Sequence, residues 1–227
     1  GLELFLLASV LVSLAVVPIL ISVGKAPEFS APERISLRRI FQISPLAVIG
    51  LALNGMSIAM VFGMGAVYGK SIGMSSSEVS YFITAPVIGA MLLQYPVGRL
   101  SDRFDRRVVI LGVSVMAATT LLLASQIGLG QFAVLLMCMA IFGGLLFPMY
   151  SLCIAHANDF LTPSQMVAVS SGLVMMSGAG AVIGSPLAAL SLEYLGVGSF
   201  FPLLASTQIA TALFVIIRMS KRSAAPA

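Results

Sequence analysis

Of the 227 residues, 59% are hydrophobic and only 9% are charged, where an ordinary soluble domain carries roughly 25% charged residues. A soluble globular domain is thereby excluded, and 21 Gly and 11 Pro spread along a chain of mean hydropathy +1.09 fit a bundle of membrane helices and not a disordered or fibrous chain. The two cysteines, Cys138 and Cys153, lie in one apolar stretch, too far apart along a single helix to meet, so neither a disulfide framework nor a zinc site is expected. The net charge of +4 would suit a nucleic-acid binder, but the basic residues are distributed by loop and not gathered on one face, which leaves the lipid bilayer as the expected partner and no nucleic acid.

A bilayer core of about 30 Å needs about 20 apolar residues of helix, and seven such runs occur. They are Leu4 to Val23, Pro45 to Gly69, Val79 to Gly98, Val108 to Ser125, Phe132 to Cys153, Met166 to Leu190 and Phe200 to Arg218. If the segment between the first two runs is cytoplasmic, eleven of the twelve Lys and Arg fall inside and only Lys70 falls outside, the bias expected of a correctly placed set of spans. The five tyrosines, Tyr68, Tyr81, Tyr95, Tyr150 and Tyr194, all sit near predicted span ends, at headgroup level. The chain starts at Gly1, inside an apolar run that lacks the basic flank and cleavage site of a signal peptide. With an odd number of spans, this predicts that the upstream part of a larger polytopic protein is missing.

Residues 24 to 44, with Pro27, Pro32, Glu28, Glu33, Arg34, Arg38 and Arg39, form the one long polar connection. Within it Leu37, Ile40 and Phe41 are spaced for a short helix lying on the membrane surface. The remaining loops are short, so consecutive spans pack as neighbours. The predicted organisation is a leading span (1–23), a cytoplasmic linker (24–44), a six-helix bundle (45–218) and a cytoplasmic tail (219–227). Prolines 18, 86, 96, 148, 186 and 202 lie in or near spans, where each removes a backbone donor and can kink the helix; as a set they favour a mobile bundle.

The most specific stretch is Gly98-Arg99-Leu100-Ser101-Asp102-Arg103-Phe104-Asp105-Arg106-Arg107, a tight turn between the third and fourth spans. Gly98 permits close helix approach, Asp102 is suited to bond free backbone donors at the start of a neighbouring helix, and the arginines can pair with both acids or with lipid phosphate. The spacing of Gly98, Asp102, Arg103, Arg106 and Arg107 resembles the loop signature of the major facilitator superfamily, which joins the second and third helices of each six-helix half. Asp105 departs from it, standing where that family usually has Gly. The resemblance implies an all-α polytopic membrane bundle: the last helix of an N-terminal half followed by the six-helix C-terminal half, in the cell (inner) membrane with a cytoplasmic C-terminus. It also implies that Asp102 docks on the cytoplasmic start of a helix from the missing N-terminal half, stabilising the state closed on the inside.

The stretch Phe147 to Phe160 holds the only histidine, His156, together with Asn158 and Asp159. Ser151, five residues from His156, lies off the same helix face, so a Ser-His dyad is not expected. The plain reading makes these polar groups the end of a helix, with Thr162 or Ser164 capping the next. The stretch also looks like the YcaD-like branch of the superfamily, which implies a cytoplasmic gate or coupling role for His156, Asn158 and Asp159. In the sixth span, Gly180 and Gly184 form a small-residue face for close packing.

No Asp, Glu, Lys or Arg lies near the centre of a span, so a proton-coupling carboxylate is not visible. In the superfamily the first and fourth helices of each half line the central cavity; here these are the second and fifth spans, with the third and sixth contributing. The resemblance therefore makes Asn54, Ser57, Met60, Gln94, Phe147 and Tyr150 candidates for contact with a small-molecule substrate, with helix packing the competing role of each. The functional reading is solute transport by alternating access, of which this chain forms a part. A membrane-embedded structural, sensory or regulatory module is the alternative. No metal-binding or catalytic constellation, and no cofactor, is expected.

Overall fold

The computed structural model describes residues 2–21 and 35–221. The expected end of the first span at Val23, the linker from Lys25 to Arg34 and the tail from Arg222 lie outside the described residues. Two compact units result, Gly1–Pro32 and Glu33–Ala227. In the first, α1 (Leu2–Ile21) runs through Pro18 with Glu3 in its first turn.

The second unit begins with α2 (Leu37–Ile43), whose N-cap Ser36 accepts the backbone N–H of Arg39 at 3.3 Å. Of the three apolar residues expected to lie on the membrane, Leu37 and Phe41 are exposed, but Ile40 is buried and packs where Gly172 leaves room for it. Ser44 then caps α3 (Pro45–Ala59), which passes through a π-turn (Met60–Met64) into α4 (Gly65–Ser71) as one continuous span. The other spans are α5 (Ser76–Arg103), α6 (Arg106–Ala124), α7 (Phe132–Asn158), α8 (Pro163–Leu195) and α9 (Phe200–Lys221). Six helices are long and apolar enough to cross a membrane, and no strand occurs among the described residues.

The helices outrun their apolar runs because polar residues cap them. Ser75 and Glu78 form a reciprocal capping box three residues before the expected start of α5, with Ser75 N–H donating to Glu78 Oε2 at 2.8 Å. Thr162 stands at the N-cap of α8, and its N–H donates to Gln165 Oε1 at 3.4 Å. Prolines 86, 96, 148 and 186 sit inside helices that continue past them. The one departure from α geometry inside a described span is the π-turn, which contains no proline.

The pairing of the spans is symmetric. The α3–α4 span packs along α8, α5 along α7, and α6 along α9, while α6–α7, α3–α7 and α3–α9 form the next contacts. Exchanging the first three spans for the last three leaves this pattern unchanged, as an inverted repeat requires. Two seams show how close the backbones come. A Cβ on Gly180 would fall on the Ala52 carbonyl oxygen, and one on Gly184 on the Met56 backbone. In the second seam, side chains on Gly89 and Gly143 would strike the backbones of Ala140 and Pro86. Small residues therefore set the helix separation in both pairs, as the Gly180–Gly184 face predicts.

Between the seams lies a core of Leu51, Met60, Phe82, Ile110, Leu121, Phe142 and Leu146. Tyr68 stands near the end of its span, as expected, but does not lie open at the surface. It is buried, stacked on Phe200 with ring centroids 4.5 Å apart and edge-on to Phe201 at 5.2 Å, because α9 brings two phenylalanines to the end of α4.

Candidate functional site

The turn between α5 and α6 folds around Asp105. That carboxylate is the N-cap of α6, accepting the Arg107 backbone N–H at 2.9 Å, and its two oxygens also receive Arg107 Nε at 3.3 Å and an Arg107 terminal nitrogen at 3.0 Å. Hydrogen bonding from the Arg107 side chain holds the Asp105 carboxyl below the usual carboxylate value, against the opposing effect of partial burial. The residue that departs from the family pattern is thus the one that closes the turn. Arg106 reaches instead to Asp159 at the end of α7, 3.0 Å away. Burial nevertheless raises the Asp159 carboxyl, outweighing the attraction of Arg106.

Asp102 does not cap a neighbouring helix among the described residues, and no arginine of the turn pairs with it. Asp105 has taken both roles because it immediately precedes α6, where the free N–H groups are. Asp102 is exposed, on the wall of a cleft of about 240 Å³ between α5 and α7. Gln94, Gly98, Ser101, Arg106 and Ser151 line the same cleft. Gln94, Gly98 and Asp102 follow at intervals of four, and Ser101 stands three after Gly98, which places them on one helix face. A Cβ at Gly98 would meet no atom within 4 Å, so the close approach expected of Gly98 is not made by any described residue. Arg103, by contrast, is exposed at the helix end.

The polar end of α7 divides between two places. His156 is buried, 5.3 Å edge-to-face from Phe160, and shares with Ser44, Arg107 and Arg218 a recess of about 20 Å³, room for about one water. Asp159 faces Arg106, and the Oδ1 of Asn158 is buried without a hydrogen-bond partner. Ser151 and His156 line different cavities. No group of three His, Cys, Asp or Glu able to hold a metal occurs among the described residues.

The cavity candidates also separate. Met60 and Ser57 are fully buried within the bundle, and Ser57 Oγ contacts Thr207 Oγ1 at 2.6 Å and accepts Gln208 Nε2 at 3.0 Å. Asn54, 2% exposed, leaves both ends of its amide without a partner. Gln94 is exposed and Phe147 and Tyr150 are half-buried, with Phe147 edge-on to the exposed Phe62 of the π-turn at 6.1 Å. Sequence reasoning missed the Ser57–Thr207–Gln208 cluster, although Thr207, Gln208 and Thr211 interrupting an apolar run mark a face that needs partners. It also missed Ser185, whose Oγ donates to the Ala59 carbonyl at 2.9 Å across the α3–α8 seam, beside the π-turn.

Six apolar spans paired as an inverted repeat, with a basic turn between the second and third, define a polytopic helical membrane protein. The chain belongs to the Major Facilitator Superfamily, whose family model matches residues 47–227. It is 27% identical over 179 residues to an uncharacterized MFS-type transporter YcaD of Salmonella arizonae, and 24% identical over 180 residues to the YcaD of Salmonella paratyphi B. Each match covers 79% of this chain and 44% of the relative, so the chain spans less than half the length of these curated relatives.

Proposed function

We propose that this chain forms part of a solute transporter that works by alternating access, supplying the six-helix second half and the helix that precedes it. The observation that carries the reading is the inverted-repeat bundle of a superfamily member whose α5 and α8 remain the least buried spans, at 28% and 17% against 50–56% for the other four. Two helices largely uncovered on one half are what a second half requires. The name of the curated relatives, transporter, supports the same conclusion.

In this reading the basic end is cytoplasmic, in accord with the distribution of Lys and Arg, and lies in the inner membrane of the cell with the C-terminus inside. The substrate is a small molecule bound near the midplane between the halves. Gln94, Phe147 and Tyr150 supply partly exposed wall residues, and Asn54 is a buried amide still lacking a partner. Asp102, exposed and outside the ion pairs of its own turn, docks on the start of a helix of the other half and holds the cytoplasmic side closed. His156, Asn158 and Asp159 support that gate from α7.

Counterflow by the protein expressed from its complete gene, in sealed vesicles screened with small solutes, tests the transport reading; a protein that moves none of them sinks it. Asp102→Asn in the same protein is expected to lower transport and raise labelling from the cytoplasmic side by shifting the equilibrium toward the inward-open state. Unchanged labelling would count against the gate.

A further inference from the structure

We infer that Ser101 is a second acceptor in the same docking socket, so that the cleft receives the first turn of a helix from the other half on two oxygens and not on Asp102 alone. This rests on the reading above. Three features of the cleft remain unsatisfied among the described residues. Ser101 is 5% exposed and its Oγ has no hydrogen-bond partner. Asp102, next to it, stands outside the two ion pairs of the turn, which join Arg106 to Asp159 and Arg107 to Asp105. Gly98, one turn earlier, is helical yet has open space where a side chain would go.

A glycine inside a helix costs about 1 kcal/mol relative to alanine, and nothing among the described residues requires one at Gly98. An unpaired hydroxyl in a buried wall is likewise unfavourable. One occupant resolves all three: a helix start, which presents free backbone N–H groups and a partial positive charge. Its backbone seats over Gly98, one N–H meets the Asp102 carboxylate and another meets Ser101 Oγ. A lipid phosphate would suit the neighbouring arginines and could accept from the Ser101 hydroxyl, but it would be repelled by Asp102, which a helix start attracts. The chain covers only 44% of its relatives' length, so the helix that fills the cleft comes from the remainder.

The test uses the protein expressed from its complete gene, with Cys138→Ser and Cys153→Ala, and Ser151→Cys as the reporter on the far wall of the cleft. Labelling by a membrane-impermeant maleimide from the cytoplasmic side is measured alongside thermal stability. Ser101→Ala removes a hydroxyl with no partner among the described residues, so any fall in melting temperature should come only from the lost bond to the other half and be smaller than that of Asp102→Asn. Labelling should rise by about 3- to 10-fold, as expected for one neutral hydrogen bond lost from the closed state. Asp102→Asn should raise it more, by on the order of 10- to 100-fold, with an effect that shrinks as salt is added. If Asp102→Asn opens the cleft and Ser101→Ala does not, the role of Ser101 is refuted while the docking reading stands. If neither opens it, the docking reading fails and this inference with it. A Ser101→Ala protein that labels faster but melts lower than the Asp102→Asn protein would place the hydroxyl in the packing of the bundle and overturn the proposal.

Discussion

Gly180→Ala tests whether the α3–α8 seam is set by the absence of a side chain. The added Cβ would lie against the Ala52 carbonyl oxygen, 2.7 Å from the carbonyl carbon and 3.1 Å from Cα. Carbon atoms prefer separations of about 3.5–4.0 Å, so the helices must part by about 1 Å. No rotamer change relieves the clash because every opposing atom is backbone. The same movement loosens the contacts of Gly184 with Met56 and of Gly55 with Ser177. Overpacking of this kind costs about 1–3 kcal/mol. Gly112→Ala, inside α6, is the matched control, since its Cβ would meet nothing within 4 Å. Both substitutions change helix propensity alike, so their difference isolates the seam. Taking about 2 kcal/mol, and about 2–4 °C per kcal/mol for a chain of this size, the Gly180 variant should melt about 4–8 °C below the Gly112 variant in detergent. Equal melting temperatures would refute the close-approach argument.

Three other perturbations follow from the described contacts. Ser57→Ala and Gln208→Leu, combined in a double-mutant cycle on thermal stability, should show a coupling of about 0.6–1.7 kcal/mol, the range for hydrogen bonds between membrane helices; additive effects would mean that the 3.0 Å contact contributes nothing. Because the folded-state value of Asp105 lies below the ordinary 3.8, its stabilisation is complete above that value and is lost as pH falls through the folded one. Asp105→Asn should therefore be less stable by about 1 kcal/mol near neutrality, allowing for partial exposure, with the gap closing in strong acid; a gap constant with pH would remove the charge from the explanation. Ser185→Ala deletes the donor to the Ala59 carbonyl, and amide exchange at the π-turn should quicken by about 2- to 10-fold. No change there would show that the π-turn is stable without its neighbour.

Much of the architecture follows from sequence because it depends on properties carried along the chain. A run of about 20 apolar residues must span the bilayer as a helix whatever surrounds it, so the six spans of the bundle start within a few residues of their expected places, three of them at Pro45, Phe132 and Phe200. Capping is equally local, and Thr162 stands where its side chain predicts. The small face at Gly180 and Gly184 could be read as a packing face, because two glycines one turn apart in an apolar helix let a neighbouring backbone approach closely.

Tertiary structure decided which face each polar residue presents and to whom. Asn54 and Ser57 on one helix look alike as wall candidates, yet α9 brings Thr207 and Gln208 to Ser57 and leaves the Asn54 amide unpartnered. Asp102 and Asp105 are both acids in one basic turn, but only Asp105 meets the free N–H groups of α6 and the Arg107 guanidinium. The π-turn has no marker comparable to a proline, since it arises where α3 must fit against Ser185 and Gly184 of a helix more than a hundred residues away. Hydropathy is summed along the chain and so can be read from it, whereas hydrogen-bond partnership depends on an orientation that exists only once the helices have packed.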